Sequence, residues 1–187
     1  INLCLFISLP AAAGLYVASY DIVNALFGYG SFTEASVKNT SAALKFFAIG
    51  IPAFALLKIF SSFYFARNNT QTPFHLSVVV VVINLALSIY LFRIIGFIAI
   101  PIATTISTWI IVFAYIFKFV EKDIHKFDNI FFRKIIKMFL SSTLMAIFLI
   151  YMISFLADKL IYDSSLKILY LFLIVGLAIV VYFLISV

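Results

Sequence analysis

Charge is what this sequence has least of. Only 11% of its 187 residues are charged, 66% are hydrophobic, and the mean hydropathy is +1.24. Soluble domains carry about 25% charged and about 45–50% apolar residues. A soluble fold of this length cannot hide so much apolar surface, so the composition implies an integral membrane protein. Cysteine is nearly missing too. Cys4 stands alone in an apolar run, which excludes an internal disulfide and suggests no metal cluster. It reads as a lipid-facing or packed small residue. The two histidines, His75 and His125, sit at loops, with no cysteine or paired carboxylate at metal-ligand spacing. Both read as interfacial or solvated. Gly28-Tyr29-Gly30 is followed by no Lys-Ser/Thr pair, so it is not a phosphate loop. Asp21, near a helix end, reads as an interfacial charge. No catalytic constellation emerges. The expectation is a protein that is not an enzyme and needs no metal or cofactor.

The net charge of +6 would suggest nucleic acid in a soluble chain. In a membrane chain it reflects loops facing anionic lipid, so membrane lipids and not nucleic acid are the expected partners. The chain opens at Ile1 in mid-hydrophobic sequence, without a basic leader and cleavage site. It is expected to be a piece of a longer protein whose N-terminal part is absent.

What is there is a series of long apolar runs with sharp polar breaks. The clearest break is Phe63-Tyr-Phe-Ala-Arg-Asn-Asn-Thr-Gln-Thr-Pro73. Aromatic residues at an interfacial belt lead to cationic Arg67, then a polar turn. Thr72 is expected to cap the next helix, with Pro73 at its first position, where a missing N–H costs nothing. Registered on this boundary, the chain divides into six spanning segments at about 3–26, 41–65, 74–92, 97–119, 135–156 and 166–187. Each approximates the ~20 residues that a bilayer needs. The expected fold is all-α: one polytopic bundle of about six transmembrane helices, forming a single domain over 1–187.

Details follow within the segments. Pro10 and Gly14 are expected to bend the first, and a proline there costs less when a neighbour satisfies the carbonyl it frees. A Gly-rich turn follows, with Thr33 as N-cap and Glu34 just inside the next helix, or Ser31 and Glu34 as a capping box. The second segment starts near Glu34 or Ser41 and is interrupted by Gly50 and Pro52. Asn84 is the polar break in the third. The run Ala103-Thr-Thr-Ile-Ser-Thr108 gives the fourth a small, hydroxyl-rich face suited to close helix contact. Glu121–Arg133 and Asp158–Ser165 read as water-exposed turns.

Successive turns alternate sides, which sorts the 13 cations into two groups. Eight (Lys58, Arg67, Lys118, Lys122, Lys126, Arg133, Lys134 and Lys137) fall on one side and five on the other. The positive-inside rule places the larger group, and with it both chain ends, in the cytoplasm. Lys58 is the informative residue. A cation in hydrocarbon costs at least ~2.5 kcal/mol, so it snorkels to the Arg67 side or lines a water-filled pathway. Bent helices with inner prolines such as Pro52 often line transport cavities.

Several stretches together resemble the C-terminal half of the MurJ/MviN family of lipid II flippases, of the MOP superfamily. They are Leu9-Pro10-Ala-Ala-Ala-Gly14, Leu26-Phe-Gly-Tyr-Gly-Ser-Phe-Thr33, Gly50-Ile-Pro-Ala-Phe-Ala-Leu-Leu-Lys58 and Phe63–Pro73. Asn84-Leu85 and Gly96-Phe-Ile-Ala-Ile-Pro-Ile-Ala-Thr104 join them. Order and spacing fit throughout Pro10–Ala114; beyond Phe119 only hydropathy does. The family pattern at Phe63–Pro73 resembles Phe-Tyr-Ala-Arg-x-Asp-x-x-Thr-Pro. Here Tyr64-Phe65 replace Phe-Tyr, and Asn69 replaces the Asp, removing a charge partner for Arg67.

The resemblance implies the second lobe of a two-lobed flippase plus a final helix pair, in the bacterial inner membrane. It implies a polyprenyl-diphosphate-linked peptidoglycan precursor as substrate, carried from the cytoplasmic to the outer leaflet by alternating access. The missing N-terminal lobe is the implied partner, and it holds most of the head-group arginines. The final helix pair is implicated in holding the polyprenyl tail. The resemblance also favours the cavity for Lys58, so Lys58, Pro52 and Arg67 are the expected substrate-pathway residues. The alternatives are another MOP-type exporter, of polysaccharide-lipid or of drugs, and a membrane subunit that only scaffolds partners.

Overall fold

The computed structural model describes residues 1–121, 129–156 and 167–186. His125, Lys122, Lys126 and the Asp158–Ser165 turn lie outside the described residues. The described part is helical: α1 Asn2–Val17, α2 Ser19–Phe27, α3 Glu34–Ala66, α4 Gln71–Ile95, α5 Ala99–Glu121, α6 Asn129–Phe155 and α7 Lys167–Ser186. A single 3₁₀ turn, Gly96–Ile98, joins α4 to α5.

α3, α6 and α7 are each long and apolar enough to cross a bilayer, as is the stretch Gln71–Phe119. That stretch has 49 residues. As one straight helix it would reach about 74 Å, against a hydrocarbon core of about 30 Å. It folds back instead. Gly96 takes φ +65°, a conformation open to glycine, and reverses the chain. The amide of Asn84 then donates to Thr104 Oγ1 at 3.0 Å across the α4–α5 hairpin. Ser107 Oγ lies 3.4 Å from the same nitrogen, and Ser88 donates to Asn84 Oδ1 at 3.2 Å. The hydroxyl face of α5 thus meets the amide in the middle of α4.

The first segment departs from expectation. α1 runs as one helix through both Pro10 and Gly14, and the break falls beyond them, at Ala18, where the axis turns by 72° into α2. With 16 residues, α1 rises about 24 Å, short of a full crossing. Segment 3–26 is therefore two helices bent at Ala18 and not one continuous helix. Proline at position 10 removes the bond that its N–H would give to the Phe6 carbonyl. Tyr182 Oη of α7 donates to that carbonyl at 2.8 Å instead, so the backbone loses no partner. Met145 and Leu149 of α6 pack beside Gly14, at distances where a Cβ would also make ordinary contact.

Two helix starts also separate. Thr33 caps α3 as expected, its Oγ1 accepting from the Ser36 N–H at 3.3 Å, and the helix opens at Glu34 rather than 41. At α4 the expected cap shifts. The helix begins at Gln71, and it is Asn69 Oδ1 that accepts from the Thr72 N–H at 3.1 Å. Pro73 sits in the third position, still within the first turn, whose N–H groups have no intrahelical acceptor.

Buried residues form two clusters with α1 between them. One joins Leu5 to Leu56, Phe60 and Tyr64 of α3 and to Val112, Tyr115 and Phe119 of α5. The other joins Met145 and Leu149 of α6 to Leu171, Ile174, Ala178 and Tyr182 of α7. On α3 and α7 these residues recur every three or four positions, one stripe per helix. The outward faces stay apolar: the most hydrophobic window of Gln71–Phe119 has no buried residue. A surface of that kind suits lipid or further helices.

Candidate functional site

Two apolar cavities flank α1. The larger, about 760 Å³, lies among α1, α3, α5 and α6 and is lined by residues that include Tyr16, Pro52, Leu56, Trp109, Phe131 and Phe139. The smaller, about 380 Å³, lies among α1, α6 and α7, with Pro10, Gly14, Met145, Leu149, Ala178 and Tyr182 in its wall. Both walls are almost wholly carbon. Such volumes suit aliphatic chains and offer nothing to a free charge.

α3 separates the expected pathway residues. Pro52 is buried and faces the larger cavity. Lys58 is exposed and does not line it. Ile49, Pro52, Leu56 and Phe60 share one stripe, and at 3.6 residues per turn Lys58 lies about 180° from it. It shares instead a stripe with Phe47, Ile51, Phe54, Ser62 and Phe65, where it is the one charge on an apolar face. Ser62 Oγ donates to the Lys58 carbonyl at 2.8 Å on that face. Arg67 is exposed in the α3–α4 turn, nine residues on, or about 14 Å along the axis. Its guanidinium stacks 4.3 Å from the Phe63 ring centroid. With asparagine at position 69, Arg67 takes an aromatic partner, and the residue in the family's acidic position caps α4. The three residues do not meet in one site.

Pro52 is supported from α5. Thr105 Oγ1 donates to the Phe46 carbonyl at 2.8 Å, and Trp109 Nε1 to the Ile49 carbonyl at 3.1 Å. These donors, one helical turn apart, bind α3 backbone just before the proline. Gly50 makes that approach possible: a Cβ there would lie 2.9 Å from Thr105 Oγ1 and 2.8 Å from the Phe54 ring. α3 is one continuous helix through Gly50 and Pro52.

Charge is sorted to the ends of the bundle. The N-terminus of α1 and the facing ends of α3, α5 and α6 meet around Asn2, Phe63, Phe119 and Phe131. Arg67, Lys118, Arg133, Lys134 and Lys137 belong to this end. At the other end, Lys38 pairs with Glu34 at 2.9 Å. Lys167, buried at the start of α7, donates to the Gly28 carbonyl at 2.6 Å, a cation at the C-terminus of α2.

Sequence reading missed Tyr182, Trp109 and Lys167. The available signal was polarity in the wrong place. α7 is the most apolar of the segments, so a hydroxyl or ammonium on its buried stripe marks a specific partner.

Comparison with known proteins gives a consistent result. A family model described as lipid II flippase MurJ matches residues 1–172. A probable lipid II flippase MurJ of Rickettsia prowazekii is 34% identical over 109 residues, 58% of this chain and 22% of that protein. Its counterpart in Buchnera aphidicola subsp. Schizaphis graminum is 28% identical over 178 residues, 95% of this chain and 35% of that protein. The solved structure of a lipid II flippase MurJ in an inward closed conformation superposes with a TM-score of 0.76 at 28% identity. That match covers 97% of this chain and 36% of the other. The chain thus spans about one fifth to one third of the length of these relatives. The matched sequence and the shared helical arrangement lead to one conclusion: this multi-pass membrane chain belongs to the lipid II flippase MurJ family.

Proposed function

We propose that the chain forms the second lobe and final helix pair of a transporter that moves a polyprenyl-diphosphate-linked peptidoglycan precursor across the bacterial inner membrane. The observation that carries this reading is the family match over residues 1–172, joined to a superposition that covers nearly the whole chain. The process is binding and alternating access, with no covalent step. Apolar cavities of about 760 and 380 Å³ are chemically suited to a long hydrocarbon tail. Lys58 is the cation proposed to meet the diphosphate. On this reading its apolar α3 face, which is turned away from the larger cavity, meets the remainder of the full-length protein. Pro52 shapes α3 beside the cavity, and Arg67 holds the proposed cytoplasmic turn. Both described ends of the bundle's first and last helices, near Phe6 and Tyr182, then lie toward the cytoplasm.

The test is complementation. A full-length protein containing this chain should rescue a strain depleted of its lipid II flippase, and should translocate lipid II in proteoliposomes. Rescue without lipid II movement, or movement of a different polyprenyl-linked glycan in its place, would reject the substrate.

A further inference from the structure

α7 presents a register problem. Its described sequence is almost entirely apolar, and its inward stripe is Leu171, Ile174, Ala178 and Tyr182. In lipid there is little hydrophobic drive between helices, because the tails are as apolar as leucine. A stripe of aliphatic side chains packs about equally well after a slide of one turn. Something polar must fix where α7 stands.

Two bonds are placed to do so. At one end Lys167 donates to the Gly28 carbonyl at 2.6 Å. Fifteen residues on, or about 22 Å along the axis, Tyr182 Oη donates to the Phe6 carbonyl at 2.8 Å. The second bond exists because of Pro10. In an unbroken helix the Phe6 carbonyl is taken by the N–H of residue 10. Proline has none, so the carbonyl is free to accept from outside. The Phe6 ring lies 5.2 Å from the Tyr182 ring and 5.8 Å from that of Phe183, which aims the hydroxyl at the carbonyl. Tyr182 is 3% exposed, so water does not compete. The same residues, Phe6, Pro10 and Tyr182, wall the 380 Å³ cavity.

We propose that Pro10, the Phe6 carbonyl and Tyr182 act as one unit, in which the carbonyl freed by proline is the receptor that holds the last helix in register on α1. Tyr182 is a positioning residue. Its bond sets how far α7 stands from α1, and so the width of the cavity between them. The effect on transport rests on the flippase reading above; the effect on helix register does not.

The unit makes an unusual prediction: the defect of one member is repaired by changing another. Tyr182→Phe keeps the ring and removes the donor, leaving the Phe6 carbonyl without a partner. Adding Pro10→Ala restores an N–H within α1, which satisfies that carbonyl. The experiment uses the full-length protein with Cys4→Ala and spin labels at Leu3 and Leu184, which are 75% and 77% exposed near the same end. Pulsed dipolar spectroscopy should give one narrow distance distribution for the parent and a broadened one for Tyr182→Phe. Thermal denaturation in detergent and lipid II translocation in proteoliposomes accompany it.

Interhelical hydrogen bonds of this kind are worth about 3- to 10-fold in the equilibrium that docks one helix on another, and Tyr182→Phe should slow transport by no more than that factor. The double variant Tyr182→Phe/Pro10→Ala should regain the thermal midpoint that Tyr182→Phe loses, although its register remains broad. In the Pro10→Ala background, removing the hydroxyl should change midpoint and distance much less than in the parent, since the carbonyl is already satisfied and only the hydroxyl's contact with Ser142 of α6 is lost. Equal effects of Tyr182→Phe with and without Pro10 would overturn the proposal, because a side chain that merely packs does not sense the proline. An unchanged distribution for Tyr182→Phe would overturn it as well. If the distances and midpoints couple while the parent protein moves no lipid II, the unit stands and the flippase reading falls.

Discussion

A lysine on an apolar helix face is costly wherever that face meets hydrocarbon, and its surroundings decide its use. Lys58 stands on an apolar face of α3, opposite the stripe that lines the larger cavity. If it meets the diphosphate of the substrate, its charge matters more than its length. Lys58→Gln in the full-length protein is expected to lower lipid II translocation at least about 10-fold with expression retained, while Lys58→Arg keeps the charge and is milder. Normal complementation by Lys58→Gln would reduce Lys58 to a snorkelling side chain. Position 69 carries a second prediction at this scale. Asn69 accepts from the Thr72 N–H at the start of α4. Asn69→Ala should therefore cost about 0.5–2 kcal/mol as a lost cap. Asn69→Asp should gain about 0.3–1 kcal/mol by placing an anion at a helix N-terminus. Thermal midpoints in detergent check both, and a destabilised Asp variant would refute the capping account.

At the scale of elements, the contact of α3 with α5 depends on a missing side chain. Gly50 brings the Thr105 hydroxyl to the Phe46 carbonyl. Gly50→Val should force the helices apart at a cost of about 1–3 kcal/mol. Gly176→Ala, where a Cβ meets nothing within 4 Å, should leave the midpoint unchanged. Thr105→Val should lose less than Gly50→Val, about 0.6 kcal/mol for one interhelical hydrogen bond. Equal midpoints for Gly50→Val and Gly176→Ala would show that α3 and α5 do not need the close approach. Pro52→Ala then tests function rather than stability: it should slow translocation with little loss of insertion. The donors Thr105 and Trp109 bind backbone on the N-terminal side of Pro52, so the local shape of α3 is shared between the two helices.

For the whole molecule, the sorting of charge predicts orientation. Arg67 and the cations of α6 share one end of the bundle, while the Glu34–Lys38 pair and Lys167 share the other. The positive-inside rule assigns the first end to the cytoplasm. In a Cys4-free full-length protein, a cysteine at exposed Asn68 should resist an impermeant thiol reagent added to intact cells, and one at exposed Lys38 should react. Labelling of position 68 from outside would reverse the topology.

Composition and run length alone determined that the chain is an all-helical membrane protein. They also located the polar breaks at 27–33 and 67–72 and the reversal at Gly96, because lipid allows a spanning backbone few forms other than the helix. The hydroxyl run of α5 was legible as a contact face, because small hydroxyl residues let helices approach and hydrogen-bond across the contact; Asn84 was legible only as a polar break. Which partner it finds is a matter of three dimensions. Helix 3–26 breaks at Ala18 and not at Pro10, because a tyrosine 172 residues away in sequence supplies the donor that Pro10 lacks. Lys58 and Pro52, six residues apart, lie on different sides of α3, about 120° apart, and only the packing of α1, α5 and α6 on one of those sides tells which faces the cavity. Local sequence sets what each backbone group requires; the tertiary fold decides which distant side chain meets the requirement, and with it the position of the last helix.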